Sequence, residues 1–123
     1  MELVFHCFLE NLKKKPYLLP ILSNNSRTIC FQTGKGKNIL YLSKKKQYMV
    51  TTEENVHFYI RGQEDSLTNL LMGKEKLQTL VKEEQIHVEG SFRDLLYLES
   101  LFLLNQPYLE GNSEKRMEET DNG

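Results

Sequence analysis

The sequence predicts a single α+β domain of five strands and flanking helices, with more apolar helix surface than covering one face of a sheet requires. Three observations predict it. The apolar period switches from helical to alternating and back twice along the chain. That sets the order as a helix, three antiparallel strands, a crossover strand, helices, a fifth strand and a terminal helix. The gaps between the first three alternating runs are short enough to imply hairpins. The last helical run, Leu95 to Leu104, is apolar at eight of its ten positions, about twice what a helix covering one face of a sheet needs. A chain of 123 residues holds one core and one modest cavity. The domain is drawn over residues 1–109, with 110–123 as a tail.

Leu3, Phe5, Phe8, Leu9 and Leu12 recur at helical spacing, so residues 3–14 form an amphipathic helix whose terminal lysines suit its C-terminal dipole. Pro16 and Pro20 bracket a short apolar piece, Tyr17 to Leu22, closed by the loop Ser23-Asn24-Asn25-Ser26. Residues 28–32 are β-branched and aromatic and lead into a Gly34-Lys35-Gly36 turn. Residues 38–42 and 47–51 repeat the strand pattern. Val56, Phe58 and Ile60 then alternate with His57, Tyr59 and Arg61.

After Gly62 the spacing is helical again. Asp65 or Ser66 caps a helix carrying Leu67, Leu70 and Leu71, which Gly73 ends. A second turn-rich helix carries Leu77, Leu80 and Val81. Residues 85–89 alternate as a short strand. Ser91, with Asp94 three residues on, opens the terminal helix in the manner of a capping box, and Pro107 stops it. From Glu110 onward the only apolar residue is Met117, so the acidic tail is expected to be disordered.

The surplus on the terminal helix has three explanations: a fully central core helix, a subunit interface, or one wall of an apolar pocket. The first is awkward, because one small sheet does not surround a terminal helix. The crossover helices, with Leu70, Leu71, Leu77, Leu80 and Val81, offer a facing wall. Each leucine taken singly reads as plain core, and only the surplus carries the inference. Glu99 interrupts the run and is read as an exposed helix position.

Sixteen basic and seventeen acidic residues nearly cancel, which argues against nucleic acid as a partner. Cys7 and Cys30 form no metal or redox spacing and are read as buried, reduced thiols. Residues 1–10 lack the basic and apolar regions of a secretory signal, and no apolar run approaches a membrane span, so a soluble, cytoplasmic protein is expected. Gly34-Lys35-Gly36-Lys37 lacks the gap and the Ser/Thr of a phosphate-binding loop and reads as a hairpin turn. His6, His57 and His87 stand without metal-ligand spacing or a nucleophile partner, and Ser91 is a cap. No enzyme, metal or cofactor is expected. Two basic runs, Lys13-Lys14-Lys15 and Lys44-Lys45-Lys46, are candidates for transient contact with an anionic headgroup or membrane surface.

From Ile29 to Phe102 the chain resembles the sterol carrier protein type-two domain. The resemblance rests on the three-strand meander and the strand Val56-His57-Phe58-Tyr59-Ile60. It continues through Glu64-Asp65-Ser66-Leu67, Leu70-Leu71-Met72-Gly73 and Ile86-His87-Val88-Glu89-Gly90-Ser91 before an apolar terminal helix. A helix ending Leu-Leu-x-Gly, paired with a strand ending in Gly and a small residue, is its most family-like part. The resemblance implies a five-stranded mixed sheet and a hydrophobic cavity for sterol, fatty acid, fatty acyl chain or phospholipid. Two departures stand out. Lys44-Lys45-Lys46 occupies a turn that is often Asp-Gly or Gly-rich in the family. The sequence ends Asp121-Asn122-Gly123 instead of a peroxisomal tripeptide, so the organelle does not carry over.

The expected lipid-lining set is Phe31, Phe58, Leu70, Leu71, Leu77, Leu80, Val81, Phe92, Leu95, Leu96 and Phe102. The competing readings are a homodimer built on the greasy terminal helix, without a ligand, and an enzyme accessory domain that presents a substrate.

Overall fold

The computed structural model describes residues 1–15, 17–18 and 26–106. Leu19 to Asn25, Pro107 and the tail 110–123 lie outside them. Helix α1 spans Glu2–Lys13; strands β1, β2 and β3 span Arg27–Thr33, Gly36–Leu42 and Gln47–Val50; β4 is Phe58–Gly62. Helices α2 (Glu64–Leu71) and α3 (Leu77–Lys82) lead to β5 (Ile86–Glu89), and α4 (Phe92–Leu104) ends the fold. The sheet order is β3-β2-β1-β4-β5. All neighbours are antiparallel except β1 and β4, which pair in parallel with Ile29 opposite Phe58. The sheet is therefore five-stranded, as the period changes predict, and mixed, as the family resemblance implies.

Alternation assigns the faces. Ile29, Phe31, Leu40, Leu42, Phe58 and Ile60 point inward and form one core with Phe5, Phe8 and Leu12 of α1, Leu67, Leu70 and Leu71 of α2, Leu77 and Leu80 of α3, and Leu98, Leu101 and Phe102 of α4. Phe31 sits at the centre, edge-on to Phe5 at 4.9 Å between ring centroids and 6.3 Å from Phe102. The outer face carries Cys30, Tyr41, Tyr48 and Tyr59, with the Tyr41 and Tyr48 rings paired across β2 and β3.

Strand β4 begins two residues later than the alternation implies. The His57 backbone N–H donates to the Thr28 carbonyl at 2.8 Å, but the Thr28 N–H is taken by His57 Nδ1 at 3.0 Å, so a side chain replaces the next ladder bond. Helix α2 starts from Gln63 without a side-chain cap, and Asp65 and Ser66 fall inside it. Its acidic first turn, Glu64 and Asp65, answers the N-terminal dipole instead. Gly73 ends α2 at φ +75°, with Gly73 N–H bonded to the Leu70 carbonyl and Lys74 N–H to that of Asn69, a Schellman closure. Ser91 Oγ accepts from the Asp94 N–H at 3.0 Å, so the predicted cap of α4 is present.

Glu99 is buried, not exposed. Its carboxylate accepts from the backbone N–H and the side-chain amide of Gln78 in the first turn of α3. A helix start is short of acceptors for its N–H groups, and an acid on the neighbouring helix supplies one. The far end of α4 is pinned by a buried polar junction. Asn11 of α1 donates to both the Asn105 carbonyl and its side-chain oxygen, and Asn105 donates back to the Phe8 carbonyl at 3.1 Å.

Candidate functional site

Of the eleven residues expected to line a lipid site, seven are fully buried in the core: Phe31, Phe58, Leu70, Leu71, Leu77, Leu80 and Phe102. Val81 and Leu95 are half-buried against it. Phe92 and Leu96 face solvent, at 66% and 42% exposure. The terminal helix thus spends its apolar surplus in two directions. Leu98, Leu101 and Phe102 pack inward, while Phe92, Leu96 and Leu104 recur at four- and eight-residue spacing as an exposed stripe.

Open apolar volume lies elsewhere, between α1 and the β2–β3 edge of the sheet. A groove of about 700 Å³ runs there over Phe5, Leu9 and Met49 and is bordered by Ile39 and Val50. It exists because β3 is four residues long and at the sheet edge, so α1 overhangs its inner face without a further strand beyond. Phe5 is the groove floor. Its ring rests on Phe31, and Phe31 on Phe102, so two of the predicted residues stand directly behind it. The alternating pattern of β2 and β3 and the apolar stripe of α1 carried the signal for this groove, but neither reveals that they fail to meet.

The rim is polar. Lys37 Nζ donates to Glu53 at 2.8 Å, tying the chain after β3 to the start of β2. That hydrogen bond holds the Glu53 carboxyl below the usual glutamate range and raises the Lys37 ammonium above the usual lysine range. Cys7 is exposed on α1 rather than buried as expected, whereas Cys30 is buried on the outer face, where desolvation pushes its thiol up and the nearby Glu53 charge pushes it further. Desolvation and then Glu53 likewise raise the Tyr59 phenol. An elevated thiol is a poor nucleophile. Among the described residues, no group of three or more His, Cys, Asp or Glu side chains is placed to hold a metal, and no helix is long and apolar enough to cross a membrane.

A second cleft, of about 720 Å³, opens on the outer face at the other end of β2, between Arg27, Tyr41, the Lys44–Lys45 turn and His57. None of the eleven predicted residues borders either opening.

The arrangement can be set beside known proteins. A curated relative, the SCP2 domain-containing protein YusD of Bacillus subtilis, is 29% identical over 106 residues, covering 83% of this chain and 90% of its own. The same fold is seen in sterol carrier protein 2 of Yarrowia lipolytica in its apo form (TM-score 0.57, 16% identity, 84% of this chain and 89% of that one). It is seen again in the sterol carrier protein domain 2 of Helicoverpa armigera (TM-score 0.60, 11% identity, 85% of both chains). The sequence profile of the SCP-2 sterol transfer family matches residues 8–103, from the first buried turn of α1 to the last of α4, and the chain belongs to that family.

Proposed function

We propose that this domain binds one lipid in an internal hydrophobic cavity, and passes it on, by burial alone and without chemistry on the ligand. The lipid is a sterol, a fatty acid, a fatty acyl chain or a phospholipid. The observation that carries the reading is the groove under α1. Its size falls within the range of about 300–1,000 Å³ typical of small-molecule sites, and its floor and one wall are apolar. In this reading the cavity forms when α1 and Phe5 move aside, which extends the groove inward to Phe31 and Phe102. The crossover leucines and Phe58 then serve as the packed wall behind the ligand.

The energetics suit a carrier. Burying a sixteen-carbon chain stabilises it by about 13 kcal/mol relative to water, at about 0.8 kcal/mol per methylene. Association entropy removes at least about 4 kcal/mol of that, leaving room for sub-micromolar affinity. A bilayer offers the same chain a similar apolar home, so exchange with a membrane runs near zero free energy. The donor and acceptor are then membrane surfaces touched transiently. The cytoplasm is the setting we favour, because Cys7 and Cys30 are both free thiols.

A second reading is favoured by the exposed stripe Phe92, Leu96 and Leu104, which suits self-association of two copies through α4. One experiment addresses the first reading directly. Purified full chain is examined by native mass spectrometry and titrated with a fluorescent fatty acid, alongside Met49→Glu, which places a carboxylate in the groove. We expect co-purified lipid and saturable fluorescence in the parent chain, with uptake reduced at least about tenfold in the variant. No extractable lipid together with no fluorescence change sinks the proposal.

A further inference from the structure

We infer that the cleft at the far end of β2 is a phosphate-binding site, distinct from the apolar groove and independent of whether that groove holds lipid. Three cationic side chains border it, Arg27, Lys44 and Lys45, and among the described residues no carboxylate does. The two lysine runs of the sequence separate on this point. In the first, Lys13 pairs with Glu10, and Lys15 is buried with its ammonium on the Gln106 carbonyl. In the second, the ammonium groups of Lys44 and Lys45 are exposed and make no ion pair with a described residue.

The site is built rather than merely basic. The turn that carries Lys44 and Lys45 is closed by the Ser43 N–H to the Lys46 carbonyl at 2.9 Å and by Lys46 N–H to Ser43 Oγ at 3.0 Å. Gln47 braces it from below, donating to the Ser43 carbonyl at 2.6 Å. Arg27 is anchored behind the cleft, with Nε on Asp94 at 2.8 Å and Nη1 on the Ser26 carbonyl at 2.9 Å. Nη2 is thereby left to donate elsewhere. His57 Nδ1 accepts from the Thr28 N–H, so the proton of the neutral imidazole sits on Nε2 as a further donor. The cleft is thus bordered by an anchored Arg27, by His57 and by the two turn lysines, Lys44 and Lys45. Fixed donors with cationic charge recognise a tetrahedral oxyanion, and because Asp94 already pairs with Arg27 the uncompensated charge comes from Lys44 and Lys45.

The phosphate can belong to a phospholipid headgroup or to a soluble phosphate compound, and the test separates the two. The full chain, labelled with nitrogen-15, is titrated with inorganic phosphate, and with chloride at matched ionic strength. We expect saturable shifts confined to residues 26–27, 41–46 and 57 with phosphate alone. Lys44→Ala/Lys45→Ala, at exposed turn positions, should weaken binding by about tenfold or more while leaving fluorescent fatty acid uptake unchanged. Vesicles of four parts phosphatidylcholine to one part phosphatidic acid then identify the source. Sedimentation with them, reversed by inorganic phosphate, points to the headgroup; phosphate shifts without sedimentation point to a soluble compound. Either result upholds the site. Shifts absent, or spread evenly over exposed lysines such as Lys74 and Lys76, overturn it.

Discussion

The two halves of the layer beneath the sheet are unequally filled in space. Under β1, β4 and β5, helices α2, α3 and α4 lock together, and Leu70, Leu71, Leu77, Leu80 and Phe102 lose essentially all contact with water. Beside α1, a groove remains against β2 and β3 along Leu9 and Met49. A surplus of leucines marks where the chain packs most tightly. Open volume lies instead where α1 meets the edge of the sheet.

Truncation separates the halves most strongly. Phe102→Ala removes a ring that contacts Phe8 and Phe31 in the filled half, and should cost about 3–5 kcal/mol in chemical denaturation. Phe5→Ala should cost a similar or smaller amount, because its cavity opens onto an existing groove. The ligand readout differs more. Phe5→Ala enlarges the groove and should hold or improve fluorescent fatty acid affinity at temperatures where the variant is folded. If Phe102→Ala raises affinity more than Phe5→Ala does, the ligand lies in the α4 half and the contrast fails.

This contrast explains what the sequence made legible. Element order, hairpins and the Ser91 cap follow from period, gap length and cap chemistry, which are local, whereas the mixed sheet was implied only by the family resemblance. Family membership was legible in Leu70-Leu71-Met72-Gly73 and in the strand before Ser91 because turn residues such as Gly73 are set by backbone geometry. Burial of Phe31, Phe58 and Phe102 was legible too. The groove was not, since empty volume depends on how α1 sits across β3. Nor was Glu99, whose burial depends on a partner, Gln78, 21 residues away. The Asn11–Asn105 junction had only a faint signal: Asn11 occupies a stripe position between Phe8 and Leu12 where an apolar residue fits the period.

A smaller change sharpens the contrast by strengthening the filled half alone. Helix α3 ends in a second Schellman closure, with Gln85 N–H on the Leu80 carbonyl and Glu84 N–H on that of Val81. The residue that must turn left-handed is Glu84, at φ +62°, where a side chain costs about 1 kcal/mol that glycine avoids. Glu84→Gly should therefore raise stability by up to about 1 kcal/mol, offset in part by the extra freedom of glycine in the unfolded chain. Fatty acid uptake should not change, because α3 does not border the groove. A loss of uptake would mean that the crossover helices move when ligand enters.

The least effect on stability is expected at the outward stripe of α4, and there the discriminating readout is assembly. Leu96 is 42% exposed, so Leu96→Glu should change the unfolding free energy by no more than about 0.5 kcal/mol in a monomer. If two copies pair through Phe92, Leu96 and Leu104, the same substitution sets two carboxylates into an apolar contact, and sedimentation velocity should record dimers becoming monomers. Uptake distinguishes the remaining roles of the helix. Lipid binding retained in the monomeric variant assigns the stripe to self-association and the groove to ligand. Lipid binding lost, with the fold intact, would make the stripe part of the ligand site, as the apolar surplus of α4 first suggested.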